Sequence, residues 1–252
     1  MHQRMSLWLI FILGACLAGF VQGLTGFAFA LIAMSFWVWI LPPQLSAPLV
    51  VFASLWCHLI SLSKEQKSHT NKTSLVLPYI IAGLIGVPLG TYLLDIVNAE
   101  IFKFILGFFL IIWAPTMYFT PNVQLLQRLG QKADASIGFL GGVLGGLGGF
   151  CGALPSAWVM LKKLPKEQQR YILRHFNFAI QLFTILVYFA QNTINSSHLS
   201  YILVLIIAVS LPAIFGAQMF YKISEKQFKH VVLSLLFASG CVLTTTSISH
   251  FF

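Results

Sequence analysis

The sequence predicts an all-α polytopic membrane protein built from two homologous halves. Three observations predict it. The chain has 252 residues, of which 58% are hydrophobic and only 8% charged, with mean hydropathy +0.86. That is too little charge to cover a soluble domain, and long apolar runs recur from Leu7 onward. Runs such as "LVLPYIIAGLIGVPLGTYLL" (Leu75–Leu94) do not alternate polar with apolar residues, so the spans are helices and not barrel strands. Finally, "QGLTGFAFAL" (Gln22–Leu31) and "GGLGGFCGAL" (Gly145–Leu154) repeat one glycine-rich theme 123 residues apart.

The repeat extends beyond those stretches. Residues 19–42 and 142–165 share nine of 24 positions without a gap, including Gly19/Gly142, Gly23/Gly146, Gly26/Gly149, Phe27/Phe150 and Pro42/Pro165. Three residues of drift later, Gly90 meets Gly216 and Phe102-Lys103 meets Phe228-Lys229. The halves are residues 1–120 and 137–252, joined by a cytoplasmic linker at 121–136.

Charge sets the orientation. Thirteen of the 15 Lys and Arg fall in Lys64–Lys72, Arg128–Lys132, Lys162–Arg174 and Lys222–Lys229, which the positive-inside rule places in the cytoplasm. The stretch matching each of the repeat's basic loops is nearly free of positive charge: "LPPQLS", "AQNTINSSH" and "DIVNAEIFK". Complementary loop charge is what inverted repeats produce. Inversion needs an odd number of crossings per half. Three spans are evident in each: 47–63, 74–94 and 101–120, then 175–191, 199–221 and 227–250. Segments 137–161 and 7–41 are then read as re-entrant helical hairpins broken at the glycines, since 25 residues are too few for two spans of about 20 each. Eight plain spans with parallel repeats are the alternative.

The four cysteines lie in apolar segments without ligand spacing, and the histidines are scattered, so neither a metal site nor a cofactor is expected. "LGAC" before Leu17 looks like a lipoprotein cleavage site, but the segment has a counterpart inside the second half, so it is read as part of the repeat.

"GFVQGLTGFAFAL" followed by "LPP", then "GVPLGTYLL" and "GGLGGFCGALPSAWVMLKKLPKEQQR", resemble the sulfite exporter TauE/SafE family of membrane permeases over nearly the whole chain. The resemblance implies a secondary transporter, exporter or permease, of small anions. Sulfite, organosulfonates or related sulfur-containing organic anions are the implied cargo. "GALPS" keeps a single proline, Pro155, where the family usually has Gly-Pro-Pro, which puts the family's substrate rule in doubt here. The expected location is the bacterial inner membrane, as a multi-pass protein in a lipid bilayer. A proton or sodium ion is the expected coupling partner, and oligomeric state stays open.

A broken helix exposes backbone N–H groups and the positive end of a dipole, which favour an anion. Two breaks related by pseudo-symmetry would frame one midplane site worked by alternating access. The candidate cradle is Gln22, Gly23, Thr25, Gly26 and Phe27 with Gly146, Gly149, Cys151, Pro155 and Ser156. The competing reading is helix packing, because Gly19/Gly23, Gly142/Gly146 and Gly145/Gly149 are small-xxx-small pairs. Ser54 and His58 share a helix face, as do their register partners Asn177 and Gln181. His58, Asn177 and Gln181 are assigned to the substrate, with interhelical hydrogen bonding as the alternative. His58 can hold an anion when protonated or carry a proton. Arg170 and Arg174 are read chiefly as topology determinants. Asp95 and Glu100 sit at a span end, so no carboxylate relay crosses the membrane. The charge of +9 reflects inner loops and not nucleic-acid binding. An intramembrane enzyme would need a Ser/His pair with an oxyanion motif, and a scaffold would need docking domains; neither is visible.

Overall fold

A computed structural model describes residues 2–37, 40–63, 73–94, 96, 98–119, 130–162, 164–194 and 198–251. These form ten helices and, among the described residues, no strand. In the first half they are α1 (His2–Thr25), α2 (Phe29–Trp37), α3 (Pro43–Ser63), α4 (Thr73–Leu94) and α5 (Ala99–Phe119). In the second half they are α6 (Gln131–Gly148), α7 (Ala153–Leu161), α8 (Lys166–Ala190), α9 (Leu199–Phe220) and α10 (Glu225–Phe251). The basic loop Lys64–Lys72, Asp95 and the linker up to residue 129 lie outside the described residues.

Both glycine stretches end helices. α1 gives way to α2 at residues 26–28, and α6 gives way to α7 at 149–152. The short helices turn back along the long ones. Gly145 lies against Cys151, Gly141 against Pro155, and Asp134 meets Lys162, so each step forward on α6 is a step back on α7. In the first half Gly14 lies against Phe36, and Phe11 stacks on Trp37 with ring centroids 4.7 Å apart. Phe11 also accepts a hydrogen bond from Trp37 Nε1 at 3.0 Å. From each of these feet to its break is about 21 Å of helix.

Among the described residues, six helices are long and apolar enough to cross a membrane: α1, α3, α4, α8, α9 and α10. α2 and α7 have nine residues each and are too short. α5, expected as a span at 101–120, is a helix over Ala99–Phe119, and its described residues hold an apolar stretch at Phe104–Thr116. α8 begins well before the expected 175. Pro165 is its N-cap, with φ −52° and ψ 146°, and its carbonyl accepts the Gln169 N–H at 3.0 Å. Arg170 and Arg174 are therefore helical and only 4% and 3% exposed, not residues of a basic loop.

The most extensive contacts pair each half with the other: α4 with α6, α1 with α9, α5 with α10. Exchanging the halves carries α1–α9 onto α4–α6, α3–α9 onto α4–α8, and α2–α10 onto α5–α7. Glycine makes the closest crossings possible. A Cβ on Gly142 would stand 2.0 Å from the Gly83 carbonyl oxygen, and one on Gly216 2.0 Å from that of Phe20. The outer surface is apolar. Leu77, Ile81, Ile85 and Leu89 form an exposed stripe on α4, and Leu203, Ile207, Leu211 and Phe215 form one on α9. Such stripes belong in hydrocarbon, and the chain is a membrane protein.

Candidate anion site at the two helix breaks

Each break turns on a glycine in the left-handed region: Gly26 at φ +85° and Gly149 at φ +79°. That conformation ends a helix and suits glycine because a Cβ would crowd the carbonyl. Gly26 N–H still reaches the Gln22 carbonyl at 2.7 Å, and Gly149 N–H the Gly145 carbonyl at 2.8 Å. The breaks touch. A Cβ on Gly152 would lie 2.6 Å from Phe27 Cβ and 3.1 Å from the Phe27 carbonyl oxygen. Non-helical backbone from the two halves thus meets in the interior.

α8 serves both breaks with one face. Arg170, Arg174, Asn177, Gln181, Thr184 and Tyr188 are all buried and follow one another at spacings of three and four. Arg170 Nη2 donates to the Gly23 carbonyl at 2.6 Å, and its guanidinium lies 4.2 Å from the Phe220 ring centroid. Gly23 is in the last turn of α1, whose carbonyls have no partner in the helix, so a cation is stabilising there. Arg174 Nη1 donates to the Ser61 carbonyl at 3.4 Å, and its Cβ borders Gly26. Asn177 Nδ2 donates to the Gly26 carbonyl at 3.1 Å. Further along, Gln181 Nε2 lies 3.6 Å from Cys151 Sγ, and the Tyr188 hydroxyl donates to the Gly146 carbonyl at 2.9 Å.

α1 reaches α3 through Gln22. Its Nε2 donates to Ser54 Oγ at 2.7 Å and lies 2.7 Å from His58 Nε2. Its Oε1 accepts the Phe29 N–H at 2.9 Å and so caps the start of α2. Gln22 therefore stands between Ser54 and the imidazole, and a serine–histidine nucleophile is not assembled there.

The sequence-predicted residues divide into groups. Gly26, Phe27, Gly149 and Cys151 are at the breaks, and His58, Asn177 and Gln181 are buried beside them. Gly23 and Gly146 face helix crossings instead. A Cβ on Gly23 would lie 2.2 Å from the Ala213 carbonyl oxygen, and one on Gly146 2.6 Å from that of Val87. Thr25 Oγ1 bonds the Val21 carbonyl at 2.8 Å, and Ser156 Oγ the Ala153 carbonyl at 2.9 Å; both hydroxyls donate within their own segment. Pro155 packs on Gly141. His58 Nδ1, Ser61 Oγ, Asn177 Oδ1 and Gln181 Oε1, all near the breaks, are among the buried polar atoms without a hydrogen-bond partner in the described residues. Sequence reasoning undervalued Arg170, Arg174 and Tyr188. Their signal was the continuation, at helical spacing, of the Asn177/Gln181 stripe in both directions.

The feet of the two hairpins differ. In the second, Asp134 Oδ1 accepts from the Tyr79 hydroxyl at 2.6 Å and Trp158 Nε1 at 2.8 Å, while Oδ2 pairs with Lys162 Nζ at 2.5 Å. The first foot is aromatic, and a cavity of about 370 Å³ opens there among Trp8, Phe11, Ile40, Leu41 and Tyr201. It is lined by aromatic and aliphatic residues and lies far along α1 from the breaks.

Residues 11–243 match the family model described as Sulfite exporter TauE/SafE. No curated protein and no solved structure matches the chain.

Proposed function

We propose that this chain, which belongs to the sulfite exporter TauE/SafE family of membrane transporters, carries a small sulfur-containing anion past the contact between its two helix breaks. The observation that carries the reading is the meeting of the breaks at Gly152 and Phe27 beside the buried polar face of α8. Arg170 and Arg174 supply positive charge at that face. Asn177 and Gln181 add neutral hydrogen-bonding groups, and the glycines bring backbone close to a ligand.

Inverted repeats support alternating access around this point. The exchange of contacts between halves and the complementary loop charges both favour duplication into residues 1–120 and 137–252, with 121–136 as linker. The second hairpin runs about 21 Å of helix from its foot to its break, less than the hydrocarbon core of about 30 Å, which favours re-entry there, whereas α1 of the first is itself long enough to cross. The basic loops then face the cytoplasm of a bacterial inner membrane. Sulfite and organosulfonates are the first candidate cargoes, coupled to a proton or sodium ion.

The test is flux of sulfite, an alkanesulfonate and thiosulfate across proteoliposomes holding the purified chain. At least one should be carried, and Asn177→Leu should slow it at least tenfold without lowering the amount of folded protein. Absence of flux for all three, or full flux in Asn177→Leu, would refute the proposal.

A further inference from the structure

We propose that Gln22 is a positioning residue that holds the neutral His58 ring with its proton on Nδ1, so that His58 offers the anion a single uncharged N–H. The first link is the orientation of the Gln22 amide. The Phe29 backbone N–H, which can only donate, lies 2.9 Å from one end of it, so that end is the oxygen. The other end is the amino group, which has two hydrogens and two neighbours: Ser54 Oγ and His58 Nε2, each at 2.7 Å. A neutral imidazole facing an amino hydrogen must accept there. Its own proton then sits on the other nitrogen.

That other nitrogen is where the chain supplies nothing. His58 is 1% exposed, and Nδ1 has no hydrogen-bond partner. A buried donor left unpaired is costly, so the site is built for an acceptor that comes and goes. Every hydrogen-bonding position of Gln22 that the network needs is occupied by the chain itself, which removes Gln22 from direct contact with cargo. This inference rests on the reading of the breaks as an anion path only for what the N–H is offered to. The tautomer stands on the hydrogen bonds alone.

The experiment separates the two. Full-length protein carrying ¹⁵N-labelled histidine is reconstituted in nanodiscs, with His58 assigned by the signal lost in His58→Gln. Without any anion, His58 is expected to be protonated at Nδ1 and bare at Nε2. In Gln22→Glu, whose carboxylate only accepts, the proton should appear at Nε2. A wild-type ring protonated at Nε2 overturns the proposal, as does an unchanged tautomer in a folded Gln22→Glu protein. Sulfite is then added as the probe. A shift confined to the Nδ1–H signal supports the contact, and no shift at saturating sulfite in protein that transports it overturns the donor role. In flux assays an asparagine side chain places its amide nitrogen near Nδ1, whereas glutamine reaches toward Nε2. His58→Asn should therefore retain about tenfold more transport than His58→Gln, the value of one buried hydrogen bond. Equal rates, or the reverse order, count against the donor. If the protein carries no sulfur anion, the proposed function fails while the wild-type tautomer is still decided.

Discussion

Gly26 and Gly149 make the same left-handed turn in different surroundings, and the difference is measurable. At Gly26 an added Cβ meets nothing nearer than 3.5 Å, so Gly26→Ala should cost about 1–2 kcal/mol of backbone strain and little else. At Gly149 the same atom would lie 2.8 Å from Val50 Cγ1 and 3.2 Å from Val51 Cγ2. Strain and overpacking then add, and Gly149→Ala should cost about 2–4 kcal/mol. Melting temperatures in detergent check the order: Gly149→Ala below Gly26→Ala, both below wild type. A Gly26→Ala protein as unstable as Gly149→Ala would show that the turn, not the packing, dominates both. At this scale the sequence was partly legible. The glycines, His58, Asn177 and Gln181 announced themselves as polar or small residues in apolar runs. Gly23 and Gly146 did not reveal their role, because a glycine that admits a ligand and one that admits a helix read the same.

Among elements, the hairpins were legible as breaks but not as joints. The glycine runs located residues 26–28 and 149–152. They did not show that the second hairpin is fastened at its foot, because Asp134 is near a loop in sequence and its partners are 55, 24 and 28 residues away. A buried carboxylate held by Lys162, Tyr79 and Trp158 ties α6 to α7 and to α4. Removing one member should leave the others unpaired. Asp134→Ala should therefore destabilise by about 3–5 kcal/mol, and Tyr79→Phe by about 1.5–3 kcal/mol. The double variant Asp134→Leu/Lys162→Met should recover most of the loss, since an apolar pair of similar size replaces a buried ion pair without an orphan charge. Thermal unfolding in detergent reads all three, and a double variant no more stable than Asp134→Ala would mean that packing around Asp134, not its charge, holds the foot. α8 was misjudged for a related reason. Its basic residues looked like loop charges, although Arg170 and Arg174 continue the spacing of Asn177, Gln181, Thr184 and Tyr188.

On the scale of the whole molecule, the halves face one another through α4–α6, α1–α9 and α5–α10, and the exposed stripes of α4 and α9 turn equivalent faces outward. The proposed duplication shows in the sequence chiefly as glycines at crossings, where an added Cβ would clash with the facing backbone. The proposed sidedness rests on loop charge alone, since apolar helices read alike in either direction. The two arrangements make opposite claims about two equivalent loops. With inverted repeats, residue 68 in the basic loop is cytoplasmic and residue 194 is outside; with eight plain spans and parallel repeats, both lie on one side. In a protein whose four cysteines are replaced, Ile194→Cys should react with a membrane-impermeant maleimide in intact cells. Ser68→Cys should react only after the cells are opened. Labelling of both from the same side would end the inverted arrangement, and with it the argument that the two breaks approach one point from opposite faces. The breaks would still touch at Gly152 and Phe27, but alternating access would need a different moving part.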